Sequence, residues 1–356
     1  MPLPSATYDI DRSYDENYQA GPGFDGPVPP LAAPARPPFA FLGFALNSPL
    51  GVPAGPLLNS AYVDLYARLG WDVPVYKTVR SIVRHCHPAP NCQFLPAAVL
   101  DETDALSIRS VSPAPDRVTD LSITNSFGMP SKAPGEWMAD VAKAQASMND
   151  GQVLVVSIVG TPGAGGRDLV ADFAYTAALA KEAGAKIIEA NFSCPNVMSG
   201  EGSLYGDPDL SAVVTGRIRR EIGDIPLLIK IGALPDERLR AVVAANLANI
   251  DGIAAINTVP MRVVDADGQQ ALPGEGRLQS GVCGAAIREV AAAMTARLCR
   301  IRENLGRHFA VVSVGGVMTE DDIDARLRLG ADLVMSATAA MWDPLLANRW
   351  RARRYR

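Results

Sequence analysis

Long apolar runs are missing from this chain of 356 residues, since no stretch approaches the ~18 consecutive apolar residues that a membrane-spanning helix needs. The amino terminus also lacks the charged and then apolar layout of a secretory signal. The five cysteines are scattered and odd in number, which argues against a disulfide framework. The net charge of −5 argues against a general nucleic-acid-binding surface. These absences predict a soluble, cytoplasmic protein that binds neither nucleic acid nor a membrane.

Proline and glycine are concentrated near the start of the chain, where they fill ten of the eighteen positions of residues 21–38. Such a segment cannot supply a regular hydrogen-bond ladder, so we predict an extended arm, with a disordered tail as the alternative. Two apolar runs that flank residues 47–49 then suggest a small hairpin. The predicted domains are an arm over residues 1–40, a catalytic barrel over 41–345 and a basic tail over 346–356.

A rhythm of short apolar runs begins at residue 75, and stretches with helical periodicity separate most of the runs. Continuous apolar runs of four or five residues are typical of parallel strands that are buried on both faces. Eight strand–helix units predict an α/β fold, a (β/α)8 TIM barrel with a long loop after strand 6, and a doubly wound open sheet is the alternative. The predicted strands are 75–78, 122–125, 153–157, 187–191, 227–231, 253–257, 311–314 and 333–335.

Polar residues follow most of the predicted strands, and in a barrel these positions converge on one mouth, where active sites are built. A single Asn at a strand end is commonly a satisfied cap. Here three asparagines and two of the six lysines all stand at strand ends, which is harder to explain by capping alone. The sequence therefore predicts one polar site, formed by Lys77, Thr78, Asn125, Ser157, Asn191, Lys230, Asn257 and Thr258.

Small residues close the last two predicted strands, at Gly315-Gly316 and at Ala337-Thr338. Small side chains there let backbone N–H groups approach an anion, as in the phosphate site after the seventh and eighth strands of a barrel. Ordinary turn glycines are the alternative. Because the chain has neither GxGxxG nor a P-loop, the pattern favours a ligand with one phosphate group over a dinucleotide.

Cys194 comes directly after the fourth predicted strand, in the segment NFSCPN. A lone thiol is commonly inert, but a place between Asn191 and Asn196 on the catalytic face favours an acid–base or nucleophilic role. The HCH motif at 85–87, together with Cys92, has the ligand types of a zinc site without the usual spacing. We therefore predict no metal site.

The chain resembles the FMN-dependent dihydroorotate dehydrogenases and the related dihydropyrimidine dehydrogenase domain. NFSCPN together with NSFGMP is highly specific for that family, and cysteine at position 194 is similar to its soluble class. The matching pieces keep the family's order over residues 41–341: LGFALNSPLGVPAG, YKTV, TNSFGMPS, NFSCPN, IKI, INT, SGVCGAAI, VGGVMTEDD and GADLVMSATA.

This resemblance implies that FMN-dependent oxidation converts dihydroorotate, or a closely related dihydropyrimidine, to orotate in pyrimidine biosynthesis. Cys194 would act as general base while hydride passes to flavin N5. The residues implied to hold FMN are Ala54, Gly55, Lys77, Thr78, Ser157, Asn191, Lys230, Gly281, Gly284, Gly315, Gly316, Ala337 and Thr338. Those implied to hold the pyrimidine and its carboxylate are Lys77, Asn125, Phe127, Gly128, Met129, Asn191, Asn196, Asn257 and Thr258.

Several other functions stay open from the sequence. The chain could act like a dihydropyrimidine dehydrogenase or another flavin reductase on a different heterocycle, or it could be a flavoprotein without turnover. A tRNA dihydrouridine synthase is disfavoured by the acidic charge and by the lack of room for an RNA-binding domain. A lyase or isomerase barrel without flavin would explain the glycine pair but not NFSCPN. The expected partners are a small pyrimidine and a second copy of the chain, and use of NAD would require a separate electron-transfer subunit, since no CxxC-type iron–sulfur site is encoded.

Overall fold

The computed structural model describes residues 3–32, 34, 38–96, 107–109, 115–193 and 204–355, with the backbone alone for 107–109. The strands are β1 (Phe39–Phe41), β2 (Phe44–Leu46), β3 (Leu50–Val52), β4 (Val73–Val79), β5 (Phe94–Leu95), β6 (Ser107–Arg109), β7 (Ser122–Asn125), β8 (Val155–Ile158), β9 (Ile187–Asn191), β10 (Leu227–Ile231), β11 (Gly252–Ala255), β12 (Val259–Val264), β13 (Gln279–Gly284), β14 (Ala310–Val314) and β15 (Leu333–Met335). The helices are α1 (Tyr14–Ala20), α2 (Ser60–Arg68), α3 (Pro134–Ala146), α4 (Leu169–Glu182), α5 (Pro208–Ile222), α6 (Asp236–Asn246), α7 (Arg288–Leu305), α8 (Glu320–Arg328), α9 (Thr338–Trp342) and α10 (Leu346–Arg354).

Eight parallel strands close into a barrel, in the order β3, β4, β8, β9, β10, β11, β14, β15. Strands β8, β9, β10 and β14 are buried at every position, which is why their sequences are mainly apolar and do not alternate with polar residues. Helices alternate with the strands along the chain, and α5 packs against both α4 and α6. The predicted (β/α)8 barrel, with a long connection after its sixth strand β11, is confirmed.

The prediction that residues 122–125 form a barrel strand is wrong. They form β7, which pairs antiparallel with β5 and β13 in a second sheet of order β5–β7–β13–β12–β6. The first barrel strand is instead β3, which has three residues and a central glycine and therefore lacks a long apolar run. The second sheet is formed by the connections that leave β4 and β11, so it lies at the carboxyl end of the barrel.

A hairpin of β1 and β2 closes the other end of the barrel. Its turn is Leu42-Gly43, both with positive φ, so the turn lies earlier in the chain than the predicted position around 47–49. Phe41 and Leu46 of the hairpin join the same buried cluster as residues that begin several barrel strands. Because this end is filled with apolar side chains, the opposite end is left for a ligand.

Both terminal segments pack against the barrel. The backbone N–H of Thr7 donates to the Met341 carbonyl of α9 at 2.8 Å, and Tyr8 is buried. Helix α10 buries Arg351, whose guanidinium forms a salt bridge with the buried Asp72 at 2.9 Å. The described part of 21–38 contains no helix or strand. The division of the chain into arm, barrel domain and tail stays a prediction.

Candidate active site

A cavity of about 940 Å³, its open mouth included, lies at the carboxyl ends of the barrel strands, under the second sheet. Most of the residues predicted for the site line this one cavity, although they are spread over nearly 300 positions of the chain. They are Ala54, Gly55, Lys77, Thr78, Asn125, Phe127, Gly128, Met129, Asn191, Lys230, Asn257, Thr258, Gly284, Gly315, Gly316, Ala337 and Thr338.

Two predicted residues lie behind the cavity wall rather than in it. The Ser157 hydroxyl on β8 is 3.0 Å from that of Thr78, and Thr78 Oγ1 also accepts from Asn191 Nδ2 at 3.4 Å. Gly281 on β13 passes so close to Thr258 that a Cβ would lie 2.2 Å from its Oγ1. These two residues therefore act on the cavity by positioning Thr78, Asn191 and Thr258.

The two lysines of the cavity differ in environment. Lys77 on β4 donates from Nζ to the Gly55 carbonyl at 3.2 Å and lies 5.3 Å from the centre of the Phe127 ring. Lys230 on β10 is buried, and this burial lowers its pKa, although the neighbouring Glu189 opposes the shift. The cavity thus has one lysine, Lys77, close to Phe127 and a second, Lys230, that is buried on β10.

Glu189 is a site residue that the sequence reasoning missed. It lies on β9 two positions before Asn191, and alternate residues of a strand point to the same side, so both side chains line the cavity. The Glu189 side chain is buried, and its Oε2 atom has no hydrogen-bond partner among the described residues. A carboxylate inside the apolar run IIEAN was the available signal, since buried charges are costly without a partner.

The loop after β7, residues 125–129, forms the wall of the cavity toward the second sheet. Its backbone is held by Arg80, whose Nε donates to the Met129 carbonyl at 3.1 Å, and by the His87 N–H, which donates to the Phe127 carbonyl at 3.1 Å. Met129 has φ of 51°, a conformation that costs a non-glycine residue about 1 kcal/mol or more. The loop is therefore kept in an unusual conformation by its neighbours.

The glycine pair after β14 is required by the fold itself. Gly315 and Gly316 have φ of 107° and 66°, in the region that favours glycine. A Cβ on Gly316 would lie 2.2 Å from the Arg288 Cα, and one on Gly315 would lie 3.0 Å from the Ile287 side chain. These glycines thus allow the close approach of α7 as well as forming part of the cavity wall, and their phosphate role stays a prediction.

The predicted general base Cys194 and the predicted ligand Asn196 lie outside the described residues. The chain just before them is tied to two predicted substrate ligands, because the Ser193 N–H donates to Asn191 Oδ1 at 3.2 Å. Asn257 Nδ2 also donates to the Ser193 carbonyl. The amide side chains of Asn191 and Asn257 therefore fix the position of Ser193.

The other cysteines and histidines near the cavity have no arrangement for a metal. Among the described residues, no three His, Cys, Asp or Glu side chains are grouped to hold an ion. His87 packs against the loop instead, close to Gly128, and its pKa is lowered by burial. Cys283 on β13 lines the cavity, where burial raises its pKa to about 11, so this thiol is protonated at neutral pH.

Fold and site together define a (β/α)8-barrel enzyme. Its cavity, at the carboxyl ends of the strands, is lined by lysine and asparagine side chains and by glycine backbone. A sequence model described as dihydroorotate dehydrogenase matches residues 110–349. The dihydroorotate dehydrogenase of Dictyostelium discoideum is 37% identical over 361 residues, which cover 98% of this chain and 97% of that protein. A catalytic subunit of dihydroorotate dehydrogenase B (NAD(+)) from Listeria monocytogenes is 29% identical over 164 residues, 46% of this chain and 51% of its own.

Solved structures agree on the fold. Ligand-free dihydroorotate dehydrogenase from Eimeria tenella has a TM-score of 0.70 at 17% identity, covering 92% of this chain and 89% of its own. The complex of that enzyme with ferulenol has a TM-score of 0.68 at 18% identity, covering 87% and 81%.

The chain belongs to the dihydroorotate dehydrogenase family, whose members are oxidoreductases that act on CH–CH bonds. Membership in this family implies a flavin cofactor. Over the described parts of the chain, every helix is too short or too polar to cross a membrane.

Proposed function

We propose that this protein oxidises dihydroorotate to orotate with FMN as its flavin. The observation that carries the proposal is the set of lysine and asparagine side chains that line one cavity in a chain with a full-length dihydroorotate dehydrogenase relative. A planar heterocycle with several carbonyl and N–H groups needs amide side chains, because these both donate and accept hydrogen bonds. Asn125, Asn191 and Asn257 supply such groups, and Lys77 offers a cation to the carboxylate.

The described residues fit FMN in three respects. The buried ammonium of Lys230 matches the negative charge that a reduced flavin carries at its N1–O2 edge. A Cβ on Gly55 would meet nothing within 4 Å, so this part of the wall leaves space for a flat ring. The backbone at Gly315, Gly316, Ala337 and Thr338 faces the cavity with small residues, which suits a phosphate group. The residues around the cavity would hold FMN, which when bound would supply a hydride acceptor for the substrate carbon next to the deprotonated one.

The chain itself would supply the proton acceptor. Oxidation removes two hydrogens from neighbouring carbons, and the hydrogen next to the ring carbonyl leaves as a proton. The Cys194 thiolate would take this proton, and the proposal rests on its place three residues after β9. The ordinary pKa of a cysteine thiol is about 8.5, so most of it is protonated at neutral pH. Substrate oxidation should therefore become faster as the pH rises toward that value.

Ligand binding to the purified protein tests this assignment. The protein should have a flavin absorption band at about 450 nm. Orotate should shift that band at micromolar to millimolar concentration, whereas uracil, which lacks the carboxylate, should shift it only weakly. A colourless protein would contradict the flavin assignment, and tighter binding of uracil would favour a dihydropyrimidine dehydrogenase-like substrate instead.

A further inference from the structure

Arg277 is an almost fully buried arginine in the connection between β12 and β13, and it lies outside the cavity lining. Its Nε donates to the Ser126 hydroxyl at 3.1 Å, and its Nη2 donates to the Ser126 carbonyl at 2.9 Å. Ser126 stands between Asn125 and Phe127, which both line the cavity. The guanidinium therefore binds the cavity loop from behind, at both the side chain and the backbone of one residue.

The same guanidinium binds two further segments. Nη1 donates to the carbonyls of Pro88 at 2.7 Å and Pro273 at 2.5 Å, and Nη2 donates to the Pro90 carbonyl at 3.1 Å. Arginine has five N–H donors in a rigid planar fork, and all five are used here. Four of the five acceptors are backbone carbonyls and the fifth is a hydroxyl, so these bonds fix the paths of three chain segments.

No acidic side chain among the described residues forms a salt bridge with Arg277. Burial lowers its pKa, although arginine remains charged at neutral pH. A buried cation is costly unless its donors are satisfied, and within the described part of the chain these four carbonyls and the Ser126 hydroxyl satisfy them. The hydrogen bonds of the guanidinium thus join the connection after β12 to residues 88–90 and to the loop 125–129.

We propose that Arg277 is a positioning residue that holds the loop 125–129 in its substrate-binding conformation. This inference rests on the proposed function, because the loop contains Asn125, which that proposal assigns to the pyrimidine. The family resemblance also assigns Phe127, Gly128 and Met129 to the pyrimidine. Met129 has a left-handed backbone conformation, which is unfavourable for a non-glycine residue. We therefore expect the loop to change conformation when the hydrogen bonds of Arg277 are removed. Arg277 itself does not line the cavity.

Two variants separate positioning from general stability. Arg277→Met removes all five donors, whereas Arg277→Lys keeps the charge but has at most three donors and no planar fork. We expect Arg277→Met to raise the KM for dihydroorotate and the Kd for orotate by about 10-fold or more, with a smaller change in kcat and with flavin retained. Arg277→Lys should fall between Arg277→Met and the wild type.

Arg351→Met is the matched control, since Arg351 is equally buried but pairs with Asp72 at the amino-terminal end of β4. It should lower Tm and leave the KM and the orotate Kd unchanged. If Arg277→Met does not fold, Arg277→Lys and Ser126→Ala decide alone, and each should weaken orotate binding at least about threefold. Orotate affinities within twofold of the wild type in the folded variants would overturn the proposal.

Hydrogen exchange of the ligand-free protein provides a readout that does not depend on the substrate assignment. Peptides covering residues 122–131 should exchange faster in Arg277→Met than in the wild type, and Arg351→Met should leave them unchanged. If the wild type failed to bind orotate while this exchange difference was present, the proposed function would fail and the positioning role would stand. Unchanged exchange in Arg277→Met would overturn the positioning role.

Discussion

At the scale of single residues, the cavity uses the same residue type in two environments. Lys77 lies beside the loop 125–129, where it meets a carbonyl and an aromatic ring. Lys230 lies buried in the floor beside Glu189, and burial lowers its pKa. One lysine is therefore suited to an anionic group that arrives and leaves with substrate, and the other to a group that stays bound.

The role of Lys77 can be tested by Lys77→Gln, which removes the positive charge, keeps a polar end group and shortens the side chain by one atom. A hydrogen bond to a charged group contributes about 1.5–3 kcal/mol, so the KM for dihydroorotate should rise about 10- to 100-fold. Because the resemblance also places Lys77 among the residues that hold FMN, flavin content should fall as well, and the KM is therefore measured on flavin-saturated enzyme. Lys143→Gln, on the exposed face of α3, is the control and should change neither quantity. A KM for Lys77→Gln equal to that of the wild type would show that another group binds the carboxylate.

At the scale of elements, the amino-terminal segment, residues 3–24, forms part of the support of the site. The Tyr8 ring packs edge-on against Phe127 at 5.6 Å between centroids, and Tyr14 approaches the same ring at 6.3 Å. Thr7 bonds to Tyr66 at 2.7 Å. Phe127 is thus held between this segment and Lys77, so the segment contributes to the shape of the cavity.

Two substitutions of Tyr8 separate the contribution of its ring to stability and substrate binding from that of its hydroxyl. The hydroxyl is buried without a hydrogen-bond partner among the described residues, so Tyr8→Phe should leave Tm unchanged or raise it. Tyr8→Ala removes the ring against Phe127 and should cost about 3–5 kcal/mol of stability, with a higher KM for dihydroorotate. Thermal unfolding and initial rates measure both effects. A Tyr8→Phe variant as damaged as Tyr8→Ala would mean that the hydroxyl, rather than the ring, matters.

The polar residues at strand ends were the part of the site that sequence could predict. Lys77, Asn191, Lys230 and Asn257 each interrupt or follow an apolar run, and the barrel brings such positions to one mouth. Glu189 also interrupts an apolar run, and it was missed although Asn191, two positions later on the same strand, was placed in the site. The alternation of side chains along a strand was the signal that would have added it.

Long-range contacts were the part that sequence could not predict. Strand β3 has only three residues and is identified by its partners β4 and β15, of which β15 lies near the other end of the chain. Strand β7, with the sequence SITN, has β-branched residues and ends in Asn as β9 does, but its antiparallel partner β13 removes it from the barrel. Arg277 was missed for the same reason, because its acceptors are distributed over nearly 190 positions.

At the scale of the whole molecule, the fold separates stability from chemistry. The hairpin of β1 and β2 fills one end of the barrel with apolar side chains, and the ion pair of Asp72 with Arg351 lies at that end. The second sheet and the amino-terminal segment surround the other end, where the predicted ligands lie. Changes at the closed end should therefore alter Tm, and changes at the open end should alter substrate binding or rate.

The most direct measurement is the anaerobic reduction of the bound flavin by dihydroorotate, followed by the loss of flavin absorbance in the wild type and in Cys194→Ala. In the wild type, reduction should be complete and should become faster with rising pH as more thiolate forms. Cys194→Ala should retain flavin and bind orotate, yet reduce its flavin about 10²- to 10⁴-fold more slowly, the factor that a positioned general base supplies. Reduction of the alanine variant at the wild-type rate would contradict the assignment of Cys194, and a wild type that dihydroorotate does not reduce would contradict the proposed reaction.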